Sequence, residues 1–227
     1  MECQEGRSIV RKSDWSVTVL LVALIPILSA LQVSANFPVT PVAIAGKVPP
    51  GTLGVPFSQI YDIGINDLDV VTLRARMAPG DLAGIWGGLP DGLALLVKSG
   101  DQAPGTPDGT VFRDIDLNVS RPITNDGMLV FGASLSGPDV TSQNDRGIWA
   151  RSGTSVNLVA RKGSTASGLR NSVLDDPLYF YFVKGNQIGY YAFVSPSPLG
   201  GLGSAVYGGE VSSPKLVLVT GQLAAGG

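Results

Sequence analysis

Two pairs of aspartates are the strongest acid–base groups that the sequence offers. Asp67 and Asp69 form one pair, and Asp114 and Asp116 form the other. Residues two apart in a β-strand lie on the same face, and two carboxyl groups roughly 5–9 Å apart can hydrolyse a glycosidic bond. Neither pair recurs along the chain, and turn-forming residues adjoin the first. We therefore interpret both pairs as solvated residues of turns and strand edges.

The composition excludes several other kinds of chemistry. The chain has no His, and its one Cys is Cys3. A Ser-His-Asp triad, a His-ligated metal, a disulfide and a thiolate nucleophile in the body of the chain are thereby ruled out. A nucleophilic Ser would need Lys as its base, and the one suitable spacing, Ser-Ser-Pro-Lys at 212–215, contains a proline that disfavours a helical turn.

Three weaker signals complete the search for a site. Asp114, Asp116 and the Asp175–Asp176 pair have the hard oxygen ligands that calcium prefers, but neither lies in a recognisable calcium loop. Tyrosines and phenylalanines at 179–182 and 190–191 could form a binding platform or simply pack in a core, and residues 118–120 fit a glycosylation sequon. We predict no catalytic residue, no cofactor and no metal site.

The N-terminus has the layout of a secretory signal. Arg7, Arg11 and Lys12 precede an apolar run over residues 17–31, and compact residues follow at 33–35. The run is about 15 residues, shorter than the roughly 20 that a membrane-spanning helix needs. We therefore expect residues 1–35 to be a signal peptide cleaved after Ala35, so that the mature protein is secreted or lies at the cell surface and meets the membrane only in transit.

Charge and composition limit the partners and the fold class. The net charge is −2 and charged residues make up 15% of the chain, so no basic surface favours nucleic acid. Gly (30) and Pro (16) make up about a fifth of the 227 residues, which indicates many turns and short elements. Beyond residue 35 no segment has sustained helical periodicity, and an all-β fold is expected.

A repeated pattern organises residues 36–227. An apolar run ends in Gly and is followed by a second Gly five residues later, in four segments whose leading glycines are Gly46, Gly100, Gly163 and Gly221. These glycines are 54, 63 and 58 residues apart. The spacing divides the β-repeat domain into units at about 42–99, 100–162 and 163–220, with the start of a fourth at 216–227.

Two further landmarks recur in each unit. One is an Asn-rich turn that leads into an alternating apolar run, at 66–77, 124–135 and 186–199. The other is a short strand with a large aromatic residue: Trp86, Trp149 and Tyr207. Alternation such as Val71, Leu73, Ala75 and Met77 is the pattern of a half-buried strand. Each unit thus divides into about four short strands.

These landmarks resemble the bacterial NxxGxxAF repeat family. The third unit matches the motif in full, at Asn186, Gly189, Ala192 and Phe193. The second unit matches it at Gly127 and Phe131, and the first unit at Asn66. The resemblance covers nearly all of residues 42–226. It implies an exported, surface-associated protein without a known activity.

Four strands per unit predict a β-propeller-like array in which the aromatic residues pack between neighbouring blades. The alternative fold is an irregular β-sandwich or solenoid of the same strands. Propellers close with about four to eight blades, and this chain has only three units. The array is therefore expected to be incomplete, to be completed by a homo-oligomer, or to be part of a longer chain. The function expected is a non-catalytic scaffold or recognition module for an unknown protein or carbohydrate. The alternatives are a carbohydrate-active hydrolase that uses Asp carboxylates, and a piece of a longer propeller without a function of its own.

Overall fold

The structure, a computed structural model of the chain, describes residues 41–80, 82–117 and 123–221, except for the side chains of residues 177–181. All regular elements in these ranges are strands of three antiparallel sheets. The first sheet contains β1 (Phe57–Ile65), β2 (Val71–Met77), β3 (Leu82–Gly88) and β4 (Ala94–Lys98). The second contains β5 (Val111–Asp116), β6 (Leu129–Ser136), β7 (Arg146–Ser152) and β8 (Ser155–Arg161). The third contains β9 (Val173–Lys184), β10 (Gln187–Ser195), β11 (Gly203–Glu210) and β12 (Lys215–Val219).

Each sheet is an up-and-down meander whose strands pair in chain order. The all-β prediction is thereby confirmed, and the four strands of each sheet lie within one of the units drawn from the sequence. The strands belong to the compact unit Thr40–Gly227. The expected signal segment, 1–35, lies outside the described residues, and within those residues there is no helix long and apolar enough to cross a membrane.

The paired glycines form the turn that opens each sheet. Gly100 donates its N–H to the carbonyl of Phe112 at 2.8 Å, and Gly46 and Gly163 make the same bond to Phe57 and Leu174. The second glycine of the turn approaches a leucine of the last strand so closely that a Cβ on Gly105 would lie 2.8 Å from Leu158 Cβ. The spacing of five residues therefore places the second glycine of the turn against the last strand of its own sheet.

A large aromatic residue fixes this turn in the first two sheets. Trp86 donates its indole N–H to the carbonyl of Pro50 at 3.0 Å, and Trp149 donates to Pro104 at the same distance. Each indole also meets a phenylalanine edge to face, with ring centroids 4.9 Å apart for Phe57 and 5.0 Å for Phe112. In the third sheet Tyr207 takes this place, and its buried hydroxyl has no hydrogen-bond partner among the described residues.

The three sheets stack face against face. One buried cluster joins Ile85 and Val97 of the first sheet to Phe131 and Trp149 of the second. A second cluster joins the opposite face of the second sheet to the third, through residues that include Val130, Ile148, Tyr190 and Tyr207. Stacking buries both faces of β6, where the sequence pattern predicted one buried face, because this strand lies between two sheets.

The motif in the third unit is out of register with the other two. In β2 and β6 the residue that pairs with the indole-bearing position is Leu73 or Phe131, the last residue of the motif. In β10 the residue that pairs with Tyr207 is Tyr190, three residues before Phe193. An odd shift reverses the face to which a strand residue points, so Phe193 lies on the face opposite to that of Leu73 and Phe131.

Candidate functional site

Turns from all three sheets meet around one open cleft, which we call the turn cleft. It has a volume of about 680 Å³. Its lining comes from the β1–β2 loop, the segment before β6 and the β9–β10 turn: Asn66, Asp67, Ile123, Thr124, Asn125, Asp126, Val183, Lys184 and Gly185. The Asn-led turns of the first two units therefore lie side by side at this end of the sheets.

Side-chain hydrogen bonds shape the β1–β2 loop. Asn66 Oδ1 accepts the N–H groups of Leu68 and Val70, both at 3.0 Å, which closes an Asx-type turn. Asp69 has a left-handed φ of 59°, and Gly127 has a φ of 82° at the matching place in the second unit. Asp67 and Asp69 thus lie in a loop. They do not share one face of a strand, although their spacing in the sequence would have allowed it.

Two of these turns are bonded to each other across the sheets. Asn66 Nδ2 donates to the carbonyl of Thr124 at 2.9 Å. The backbone N–H of Asp67 donates to Asn125 Oδ1 at 3.1 Å, and Asn125 Nδ2 returns a bond to Asp67 Oδ2 at 3.2 Å. This pairing fixes one wall of the turn cleft and leaves Asp126 and Lys184 exposed around it.

The second aspartate pair lies between the first and second sheets. Asp114 receives Arg76 Nη2 at 3.0 Å on one carboxylate oxygen and Arg74 Nη2 at 3.4 Å on the other. Arg74 also reaches Asp62 at 3.6 Å and donates Nε to the carbonyl of Ile115. Both oxygens of Asp114 are therefore engaged in contacts that connect β2 to β5.

A smaller cleft adjoins this cluster. Its volume is about 300 Å³, and Arg74, Arg113, Asp116 and Ser134 are among its lining residues. Arg113 Nε donates to Ser134 Oγ at 3.3 Å. Sequence reasoning missed the arginines, although Arg74 and Arg76 alternate with buried residues in β2 and so mark a polar contact inside the stack.

Asp176, one of the calcium candidates in the third unit, also pairs with an arginine of the neighbouring sheet. Arg146 Nη1 lies 3.5 Å from Asp176 Oδ2, which connects β7 to β9. Burial raises the pKa of Asp176, and the cations Arg146 and Lys162 oppose that shift. In the part of the chain that the structure describes, no three Asp, Glu or Cys side chains come close enough to hold a metal ion.

The remaining candidates separate in space. Residues 212–214 lie in the β11–β12 turn, where Ser213 N–H bonds to the carbonyl of Glu210 at 2.9 Å, and Lys215 begins β12. Tyr190 stacks on Tyr207 in the core at 5.0 Å between ring centroids, whereas Tyr191 lies on the opposite face. The side chains of residues 179–181 and the whole sequon at 118–120 lie outside the described residues.

Comparison with known proteins gives one match. A model described as a family of unknown function, DUF7453, matches residues 29–223. No curated protein and no solved structure matches the chain significantly.

Proposed function

The chain belongs to the DUF7453 family of unknown function, and from this starting point we propose that it is an exported, non-catalytic recognition module that binds a polar ligand in the turn cleft. The observation that supports this most is the convergence of turns from three sheets around one cleft of about 680 Å³. Clefts of roughly 300–1,000 Å³ are typical of ligand sites. Loops held by a rigid scaffold are the usual place for binding residues.

The lining of the turn cleft favours a hydroxyl-rich ligand. Exposed Asp126 and Lys184 offer carboxylate and ammonium groups within one concave surface, beside the Asn125 amide that is bonded to Asp67. These groups both donate and accept hydrogen bonds, as the hydroxyls of a sugar require. A carbohydrate is therefore the first ligand class to test, with a polar protein segment as the second.

The use of the carboxylates supports a non-catalytic role. Asp114 is held by two guanidinium groups, and Asp67 is bonded to the neighbouring turn. A general acid or a nucleophile needs oxygen atoms that are free to reach the substrate. If hydrolysis of a glycan is nevertheless detected, Asp114→Asn and Asp116→Asn test the alternative; unchanged activity in both variants eliminates this pair as the active site.

The proposal includes the finer architecture and the location of the protein. Face-to-face stacking of four-stranded meanders is compatible with a β-propeller-like array of the NxxGxxAF repeat type. Export would follow removal of residues 1–35. N-terminal sequencing of the protein recovered from culture medium should then begin at Asn36, and recovery of an intact N-terminus in the cell fraction alone would contradict export.

The test of recognition is a glycan array followed by titration of the best ligand. Asp126→Ala and Lys184→Gln should each weaken binding by about tenfold or more, since each removes a charge-assisted hydrogen bond worth roughly 1.5–3 kcal/mol. Asp108→Ala is the matched control, because Asp108 is also an exposed aspartate but does not line the turn cleft. Full binding by all three variants, or no glycan above background, would contradict carbohydrate recognition at this place.

A further inference from the structure

Two aspartates occupy equivalent places in the second and third sheets. Asp114 lies two residues after Phe112, and Asp176 lies two residues after Leu174. Phe112 and Leu174 each accept the N–H of the glycine that opens their sheet, and a register shift precedes each aspartate. Each carboxylate also forms an ion pair with an arginine of the preceding sheet, so there is one such aspartate at each contact between sheets.

The preceding sheet provides different partners to the two aspartates. Asp114 receives Arg74 and Arg76, which lie in β2 one and three residues after the residue that pairs with the indole-bearing position. In β6 the same two places are taken by Gly132 and Ser134. The second sheet therefore has no arginine at these places to extend to the third.

Asp176 is consequently less well paired than Asp114, although it is more buried. Its side chain is 17% exposed, against 41% for Asp114. Asp176 Oδ2 lies 3.5 Å from Arg146 Nη1, beyond the roughly 2.7–2.9 Å of a strong charge-assisted hydrogen bond. Asp176 Oδ1 is buried and has no hydrogen-bond partner among the described residues. The charge of this carboxylate is thus poorly compensated.

The charged groups around Asp176 have both signs. Burial is the largest effect on its pKa and raises it. Arg146 and Lys162 oppose that shift, whereas the charges of Asp175 and Asp145 add to it. Asp145 Oδ1 is also buried without a hydrogen-bond partner in the described part of the chain. A proton on Asp176 would therefore remove a poorly solvated charge and supply an O–H donor where buried acceptors lack one.

We infer that protonation of Asp176 controls the contact between the second and third sheets. As the pH falls, the carboxylate takes up a proton and the two sheets hold together more tightly; as the pH rises, the charge returns and the contact weakens. The sign follows from linkage, because a carboxyl group whose pKa is higher in the folded chain contributes stability that is complete below the unfolded pKa and is lost as the pH rises through the folded pKa. This inference depends on the interface alone and is independent of ligand binding in the turn cleft.

The test compares the urea midpoints of the wild type and Asp176→Asn between about pH 3 and about pH 8, a range that brackets the ordinary pKa of about 3.9 for an aspartate. Asparagine keeps the shape of the protonated side chain and cannot ionise. The two midpoints should agree at the acid end, and the variant should have the higher midpoint at the alkaline end. A difference that is the same at every pH, or a lower midpoint for the variant at the alkaline end, would overturn the inference.

Asp114→Asn is the matched control, because it makes the same change at the equivalent place of the other contact. It should slightly lower the midpoint at the alkaline end, since both oxygens of Asp114 are engaged by guanidinium groups that would lose this partner. If the control instead raised the midpoint as much as Asp176→Asn does, the effect would not belong to the contact of the third sheet, and the inference would be wrong.

Hydrogen exchange locates the effect within the fold. In the wild type, a fall in pH should slow exchange, corrected for its intrinsic rate, more in β9–β12 than in β1–β4, and this difference should be absent from Asp176→Asn. Equal slowing in all three sheets would contradict control of one contact.

If the variant fails to fold, the carboxyl-carbon NMR signal of Asp176 in the wild type decides the question. It should titrate above the ordinary value of about 3.9, and titration at or below that value would overturn the inference.

Discussion

The hydroxyl of Tyr207 distinguishes the core of the third sheet from the cores of the first two sheets, where a tryptophan indole takes this place. Trp86 and Trp149 each donate an indole N–H to a proline carbonyl, but Tyr207 OH has no partner. A buried polar group without a hydrogen bond costs roughly 1–3 kcal/mol. The ring of Tyr207 thus fills the space in the core, while its unpaired hydroxyl lowers the free energy of unfolding.

Tyr207→Phe should therefore raise the free energy of unfolding by about 1 kcal/mol, because it removes the unpaired hydroxyl and leaves the ring. Trp149→Phe is the comparison: it should lower the free energy of unfolding by at least ~2 kcal/mol, since it removes both a satisfied hydrogen bond and packed volume. Chemical denaturation of the three proteins measures both values. A loss of stability in Tyr207→Phe would show that the hydroxyl is bonded after all, for instance to a buried water.

At the scale of the element, the turn that opens each sheet depends on its second glycine. Gly105 has φ +78°, and Gly51 and Gly168 have φ of +79° and +81° at the corresponding places. All three lie against a leucine of their own sheet, at 2.8–2.9 Å from a hypothetical Cβ to the leucine Cβ. Both backbone conformation and close packing therefore require glycine.

Gly105→Ala and Gly100→Ala separate these two requirements. Gly100 has φ +87° but nothing within 4 Å of a Cβ, so its alanine variant should lose only the left-handed backbone preference, about 1–2 kcal/mol. Gly105→Ala should lose that and a further ~1–3 kcal/mol from overpacking against Leu158. Equal losses in thermal or chemical denaturation would contradict the role assigned to the leucine contact.

The turn before β10 shows how an element can mislead sequence reasoning. Asn66 opens a five-residue loop, but Asn186 lies with Gly185 in a two-residue hairpin between Lys184 and Gln187. The shorter turn lengthens the paired strands and moves the motif by three residues. A motif match in the sequence contains no information on register, and so it aligned Phe193 with Leu73 and Phe131, although Phe193 lies on the opposite face of its sheet.

At the scale of the whole molecule, the sheets are joined by apolar clusters with ion pairs beside them. Arg74 and Arg76 meet Asp114 between the first and second sheets, and Arg146 meets Asp176 between the second and third. Such partly exposed pairs contribute little energy, about 0–1 kcal/mol each. The stack is therefore held mainly by burial, and the charges help to fix the order and orientation of the sheets.

The stack should be sensitive to alkali. Burial raises the pKa of Tyr190, to which Tyr207 adds a smaller contribution, and burial also raises the pKa of Tyr207. Because both pKa values are higher in the folded chain than the ordinary value of about 10, their stabilising contribution is complete below that pH and is lost as the pH rises above it. Unfolding and tyrosinate absorbance should then appear together.

The double variant Tyr190→Phe/Tyr207→Phe should shift this alkaline transition to higher pH, as measured by absorbance and circular dichroism in parallel. Tyr61→Phe serves as the control, because Tyr61 lies on β1 outside the cluster between the second and third sheets. Ionisation of every tyrosine near pH 10 in a chain that stays folded would contradict the burial of the stacked pair.

The sequence by itself determined the class of structure and the division of each unit into about four strands. Alternation in β2, turn residues between strands and the recurrence of glycine pairs are local properties, and each follows from backbone geometry within a few residues. The same reasoning excluded imidazole chemistry from the whole chain and thiol chemistry from the chain beyond Cys3, because an absent residue type needs no structure to exclude it. The prediction that large aromatics pack between neighbouring units is confirmed for Trp149 and Tyr207, which lie in clusters that join adjacent sheets. It is wrong for Trp86, which is buried in a cluster formed by the first sheet and the segment before it.

Only the tertiary structure decided which distant groups meet. The turn cleft joins residues about 60 positions apart, and the engagement of Asp114 by Arg74 and Arg76 depends on which face of one sheet lies on the next. The burial of both faces of β6 and the exposure of Val206 and Leu218 in the third sheet follow from the place of each sheet in the stack. Periodicity specifies that a strand has two faces, but what covers each face is set by long-range packing that no local pattern encodes.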